Sequence, residues 1–194
     1  PIYKHMGGDI VPYFVEHGGV NCYDFINNQV PGATERDHDY WRDVGTLDAF
    51  YDAHMDLISV HPVFNLYNFD WPTFTKADGW LPPAKMTFND HERRGVAIDS
   101  IVSNGVIISG GYVEKSILSP GTYIHSYSSV SESVVMHNVT VGRHAVVKKC
   151  ILDKGVTVEE GAVVGVDLDH DRERGFTVTE SGITVVPKGV TVKP

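Results

Sequence analysis

From Leu118 onward, aliphatic residues return at nearly every sixth position: Leu118, Ile124, Val130, Val135, Val141, Val147, Leu152, Val158 and Val164. Two of the steps are five residues long, and four residues after many of these positions stands a small side chain, Thr122, Ser128, Ala145 or Ala162. This period is that of a parallel β-helix, in which each hexapeptide makes one short strand and a corner. Three hexapeptides close a triangular coil of about 18 residues. The aliphatic side chain points into the prism, only a small one fits at the corner, and stacked coils satisfy one another's backbone groups. The less regular stretch from Ile98 to Tyr112 is assigned to the first coil. The acidic-basic run Asp167–Arg174 interrupts the pattern and reads as a solvated loop. The tail Phe176–Val192 alternates again and is placed over the open end, whose strand edges would otherwise be unpaired.

The first half has a different pattern. Asp9 is positioned to cap a short helix through Ile10, Tyr13 and Phe14, closed by Gly18-Gly19. Val20–Phe25 alternates as a strand does, and Gln29–Tyr40 is a polar loop with a turn at Pro31-Gly32. The clearest helix follows. Thr46 caps it, Leu47, Phe50, Tyr51, His54, Leu57 and Ile58 recur at helical spacing, and Asp48 complements the dipole at its start. Residues 62–90 carry four prolines and scattered aromatics. This reads as an irregular connector strapped onto a surface, since a flexible linker would lack Trp71, Phe74 and Trp80.

Composition sharpens the division. Residues 1–97 hold 16 of the 20 aromatics, and 7 basic against 14 acidic residues. Residues 98–194 hold 9 basic against 11 acidic residues. Two architectures are expected. The net charge of -9 argues against nucleic-acid binding, and no apolar run reaches the roughly 20 residues that span a bilayer. Cys22 and Cys150 fit no zinc or disulfide framework and read as two reduced, buried thiols of a cytoplasmic protein. The chain opens at Pro1 rather than Met, which points to a processed or truncated chain.

Candidate chemistry gathers in Tyr40-Trp41-Arg42-Asp43-Val44-Gly45-Thr46, leading into the capped helix. A helix N-terminus attracts phosphate, and a carboxylate beside it is a hard oxygen ligand suited to Mg2+ shared with substrate phosphates. On its own, Asp43 reads either as a turn residue or as such a ligand. Trp41 and Arg42 read as supporting residues, or as a core aromatic and a surface ion pair. Three histidines, His125, His137 and His144, lie in the repeat.

These residues resemble a known family. Asp43-Val44-Gly45-Thr46 before a helix is similar to a segment of sugar-nucleotide pyrophosphorylases. Trp41-Arg42 in front of it narrows the resemblance to the glucose-1-phosphate adenylyltransferases. So do Lys4-His5-Met6-Gly7-Gly8-Asp9, Asp56-Leu57 followed by Trp71-Pro72, Pro82-Pro83-Ala84-Lys85 and Val102-Ser103-Asn104-Gly105. The order and spacing agree along nearly the whole chain.

The resemblance implies the α/β end of a nucleotidyltransferase (GT-A-like) domain over residues 1–72, a connector over 73–97, and a left-handed parallel β-helix of hexapeptide repeats over 98–194. The left hand is implied by the resemblance alone. The implied reaction joins ATP and glucose 1-phosphate into ADP-glucose and pyrophosphate, for glycogen synthesis. Asp43 matches the family's second Mg2+ carboxylate, and Asp9 is a candidate on the sugar side of the pocket. The family's Gly-rich nucleotide loop, first metal-binding Asp and sugar-phosphate Lys are expected upstream, so the chain is expected to be inactive alone. Lys154 and Lys188 fall where the family carries basic residues for a sugar-phosphate effector, with Lys148 and Lys149 as possible partners of Lys154. A homotetramer is implied as well. Two other readings stand beside this one. One is a hexapeptide acyltransferase using a repeat histidine as base, which the Trp41–Thr46 segment opposes. The other is a non-catalytic assembly or regulatory module.

Overall fold

A computed structural model describes residues 4–74 and 79–194. The hexapeptide positions all fall where the period places them. Each strand is two or three residues long, and strands stack in parallel into three sheets, one per side of a prism. The first sheet runs Lys85–Thr87, Ile107–Ser109, Tyr123–Ile124, Thr140–Val141, Thr157–Val158 and Thr191–Val192. The second holds Val96–Ile98, Tyr112–Glu114, Ser129–Ser131, Val146–Lys148 and Val163–Val164. The third holds Ile101–Val102, Ile117–Leu118, Val134–Val135, Cys150–Leu152 and Thr184–Val186, with Thr177–Val178 antiparallel on its edge.

Inward side chains form vertical apolar columns. Ile108, Leu118, Ile124, Val130, Val135, Val141, Val147, Leu152, Val158 and Val164 have no solvent exposure. Each contributes roughly 1.5–3 kcal/mol by leaving water. Small residues line the corners as expected, Ser128, Ala145 and Ala162 forming one column. At another corner hydroxyls ladder between coils: the Ser133 N–H donates to Ser116 Oγ at 3.1 Å, and the Cys150 N–H to Ser133 Oγ at 3.1 Å. Cys150 thus ends a polar column as a buried free thiol, whereas Cys22, also expected to be buried, is exposed; burial pushes the pKa of the Cys150 thiol above its ordinary value.

The coil is tighter than hexapeptide arithmetic suggests. Equivalent corner residues such as Ser109 and Ser126 are 17 apart, because the third side of each coil is a five-residue step. The corners are held by left-handed residues. Asp99, Lys115, Glu132 and Lys149 repeat it at one corner with φ of 47, 44, 48 and 50°. Such a conformation costs an L-residue roughly 1–2 kcal/mol, and the stacked backbone bonds between coils offset it.

The solenoid also starts earlier than the sequence pattern indicates. Lys85–Thr87 already pairs with Ile107–Ser109, and Val96–Ile98 with Tyr112–Glu114, so the stretch read as a connector to residue 97 carries two strands. The pattern is hidden there by an excursion between those strands, closed by a bridge between Asn89 and Arg94. The run Asp167–Arg174 is not a solvated loop. It contains a helix, Leu168–Glu173, whose Asp171 is fully buried. Asp171 pairs with Arg174 and accepts from the Gly165 N–H at 2.7 Å and the Thr184 hydroxyl at 2.8 Å. A charge run at the end of a solenoid can close it when every lone pair finds a donor. Beyond that helix the tail continues the stack, Thr184–Val186 on Cys150–Leu152 and Thr191–Val192 on Thr157–Val158.

The first region is built from local bonds. Met6–Ile10 is a single π-helical turn continued by α1, Val11–His17, and Gly18 ends it at φ 82°. Val20–Phe25 forms no strand: no neighbouring strand offers it a ladder, and a short helical turn, Phe25–Asn27, follows instead. The turn at Pro31-Gly32 is present. The helix α2 spans Leu47–Leu57 with Thr46 as its cap, as expected. It lies on the outer face of the third sheet, where Tyr51 packs with Val134, Ile151 and Ile183, flanked by Phe50, Met55, Met136 and Val185. Among residues 4–74, Tyr51 is the buried one.

Candidate functional site

Two consecutive turns fix the segment before α2. The Gly45 N–H donates to Asp43 Oδ1 at 2.9 Å, and the Ala49 N–H donates to Thr46 Oγ1 at 3.1 Å. The first is an Asx turn and the second a helix cap. The two are consecutive along the chain, so the Asp43 turn leads directly into the capped start of α2. Among the described residues no hydrogen bond reaches Asp43 Oδ2, and the side chain is open to solvent. Trp41 is 76% exposed and Arg42 is also exposed, so an indole, a guanidinium and a carboxylate share one open loop at a helix N-terminus.

Asp9 sits apart and makes no described contact with Asp43. It is not the helix cap. His5 takes that position, its Nδ1 accepting from the Gly8 N–H at 2.9 Å, while Asp9 Oδ2 accepts from the Lys4 and His5 N–H groups at 3.0 and 2.9 Å. The two side chains cap reciprocally, as in a capping box. The sequence reading of Asp9 as the cap is corrected to His5, with Asp9 reaching back to the N–H groups before the turn.

Lys154 and Lys188, far apart in sequence, are brought together. The Gly189 N–H donates to the Lys154 carbonyl at 3.0 Å, and the Gly155 N–H donates to the His137 carbonyl at 2.9 Å. His137, Lys154 and Lys188 therefore occupy one corner of three successive coils, roughly 4.7–4.9 Å apart per coil. Both lysines are exposed. Lys149 does not join them. It stands at the opposite end of the strand Cys150–Leu152, and its Nζ donates to the Ser181 carbonyl at 2.5 Å. His125 and His144 are engaged in ring stacks, with Tyr123 at 4.1 Å and Tyr127 at 5.0 Å.

The junction between α2 and the solenoid pairs Tyr51 and Asp48 with Glu132, Thr179 and Ser181, partners to which the sequence gave no role. The Tyr51 hydroxyl donates to the Glu132 carbonyl at 2.6 Å. Burial, reinforced by the charges of Glu132, Cys150 and Asp52, pushes the Tyr51 phenol up to about 12. At the start of the helix, Asp48 Oδ1 accepts from the Thr179 hydroxyl at 3.0 Å and from the Ser181 hydroxyl. Hydrogen bonding by Ser181, the largest influence, holds the Asp48 carboxyl below the usual carboxylate range, with Thr179 and the Lys149 charge acting in the same direction. A signal for this docking was available. Ile117-Leu118, Val134-Val135, Ile151-Leu152 and Val185-Val186 are apolar doublets one coil apart, and a strand apolar on both faces has its outer face covered.

Comparison with known proteins places the whole arrangement. The model for GlmU-like, C-terminal hexapeptide proteins matches residues 82–186, more than half of the chain. The chain belongs to this hexapeptide family. Ahead of that region, the nucleotidyl transferase model matches residues 3–60. Glucose-1-phosphate adenylyltransferase of Parafrankia sp. is 61% identical over 177 residues, covering 91% of this chain and 43% of the relative. The Bifidobacterium adolescentis enzyme of the same name is 58% identical over 180 residues, covering 92% of this chain and 43% of the relative. That of Leifsonia xyli subsp. xyli is 54% identical over 189 residues, covering 97% and 45%. The chain matches the C-terminal part of these enzymes and spans less than half of their length. None of the similar proteins named here is an acyltransferase. Among the described residues no helix is long and apolar enough to cross a membrane.

Proposed function

We propose that this chain is the C-terminal part of a cytoplasmic enzyme that makes ADP-glucose and pyrophosphate from ATP and glucose 1-phosphate, serving glycogen synthesis. The observation that carries the reading is the Asp43 loop. A carboxylate with one oxygen held by Gly45 and the other free stands at a capped helix start, in the stretch that the nucleotidyl transferase model matches.

The residues fit Mg2+. A cation of this kind is held by one or two carboxylates together with substrate phosphates rather than by an all-protein cage. The loop before α2 supplies one such carboxylate, Asp43, whose Oδ1 accepts from the Gly45 N–H and whose Oδ2 no hydrogen bond reaches among the described residues. When bound, Mg2+ supplies neutralisation of charge on the reacting phosphates. Arg42 reaches phosphate oxygens from the same loop, Trp41 offers a plane against which substrate packs, and Asp9 borders the sugar side. The sugar phosphate attacks the α-phosphorus of ATP in line, and the chain's own share is to position and to neutralise. On this reading the segment, which covers 43% of the Parafrankia relative, works together with the rest of the enzyme rather than alone.

The solenoid serves assembly, into a homotetramer, and control. The corner carrying Lys154 and Lys188 takes the phosphate of a sugar-phosphate effector, each ammonium acting as a point charge. The test is Asp43→Asn in the complete enzyme. Turnover falls by a factor of about 100 to 1000, the scale of removing one group that stabilises transition-state charge, while the melting temperature is retained. Wild-type turnover at saturating Mg2+ would overturn the assignment.

A further inference from the structure

The longest-range side-chain hydrogen bonds among the described residues are those of Asp48, with partners 131 and 133 residues away. A carboxylate in the first turn of a helix is already favoured by the helix dipole and needs no such partners. Asp48 nevertheless turns its Oδ1 onto two hydroxyls of the terminal coil. Those hydroxyls are themselves held. Thr179 Oγ1 accepts from the Ile183 N–H at 3.2 Å, the Thr179 N–H donates to the Ile183 carbonyl at 3.0 Å, and the Ser181 carbonyl accepts from Lys149. The segment between Val178 and Thr184 is thus a closed turn at the edge of the third sheet.

The two attachments of α2 differ in composition. Its middle rests on an apolar seat around Tyr51, which is non-directional, with one hydrogen bond from the Tyr51 hydroxyl to the Glu132 carbonyl. Its start is held by hydrogen bonds, which require both a distance and an angle. The start is also the end that carries Asp43, through the consecutive Asp43–Gly45 and Thr46–Ala49 bonds.

We infer that Asp48, clasped by Thr179 and Ser181, is a positioning residue: it fixes the direction of the first turn of α2 and thereby the place of the Asp43 carboxylate. This rests on the reading of Asp43 as a Mg2+ ligand. The clasp lies on the same terminal coil as Lys188, since Thr184–Val186 leads directly into Pro187-Lys188. A displacement of that coil therefore reaches the first turn of α2 through the clasp, and the Asp43 loop through the chain that runs into that turn.

The test is made in the complete enzyme by titrating Mg2+ in the adenylyl-transfer reaction. Asp48→Ala raises the half-saturating Mg2+ concentration about fivefold to tenfold, the scale of one charge-assisted contact. Asp48→Asn, which keeps an acceptor oxygen, recovers most of the loss. The paired change Thr179→Val with Ser181→Ala, made entirely on the solenoid, gives the same shift, and combining it with Asp48→Ala adds nothing further, as expected of one shared interaction. None of the three residues belongs to the solenoid's buried apolar column, so the thermal midpoint stays near wild type. Unchanged Mg2+ dependence in the paired solenoid variant, or additive effects in the combination, overturns the inference. Asp43→Asn separates the two levels. If it is inactive and the clasp variants are silent, the clasp alone is refuted. If it turns over normally, the reading of Asp43 falls and the clasp's role falls with it.

Discussion

The helices α1 and α2 are both short, yet they occupy opposite situations. α1, Val11–His17, has no buried residue, and its ends are fixed by His5, Asp9 and Gly18. α2, Leu47–Leu57, has a comparable cap but lies on the solenoid through Tyr51. An isolated helix shorter than about 12–15 residues is marginal in water. Local capping therefore decides where such a helix begins, and docking decides whether it persists. The same contrast separates the first region from the solenoid at large. Tyr23, Trp41, Trp71 and Phe74 stand 62 to 92% exposed, whereas the solenoid's core columns are sealed.

The contrast is broken most severely from inside the prism. Val141→Asp places a carboxylate where no donor or countercharge reaches it, and costs roughly 5 kcal/mol. Phe14→Ser, on the exposed α1 helix, stays within about 0.5 kcal/mol. Urea denaturation followed by circular dichroism reads both, and equal midpoints for the two variants would remove the distinction between the regions.

Next in size is the closure of the solenoid's end. Arg174→Met leaves the buried Asp171 carboxylate with only its Gly165 and Thr184 donors, and costs roughly 3 kcal/mol. The loss is local, with faster amide exchange at Thr184–Val186 and little change at Tyr123–Ile124. Uniform loss of protection along all coils would show that the end helix is not a separate closure.

The smallest change sharpens the junction. Tyr51→Phe removes the hydrogen bond to the Glu132 carbonyl and costs about 1 kcal/mol. It also removes a pH dependence. The Tyr51 phenol titrates near 10 when unfolded and at about 12 when folded, so its contribution is complete below pH 10 and is lost as pH rises toward 12. Stability of the wild-type chain falls across that window by more than that of the Phe variant, and identical pH profiles would place the hydroxyl in water.

The solenoid core was legible because its code is repeated. Val130, Val141 and Val147 were expected inside, and each has no exposure. Its start was hidden because the excursion around Asn89–Arg94 interrupts the period before the first coil closes. The buried ion pair of Asp171 was illegible for a different reason. A charged run reads as solvated unless the fold supplies donors from distant residues, here Gly165 and Thr184. The cap at Thr46 was visible because its partner is three residues away. The clasp of Asp48 was not, because its partners are 131 and 133 residues away. For the candidate site, sequence located the Asp43 loop and both lysines of one corner, but only the register of the coils brings Lys154 and Lys188 to the same ridge.

If the solenoid holds α2, and through it the Asp43 loop, in place, amide hydrogen exchange on this chain shows it: the amides of Phe50–His54 exchange slowly, near the rates of the adjoining third-sheet strands Val134–Val135 and Cys150–Leu152, while those of Tyr13–His17 exchange fast, and Ile151→Ser abolishes the difference. Exchange in α2 as fast as in α1 in the unaltered chain would contradict it.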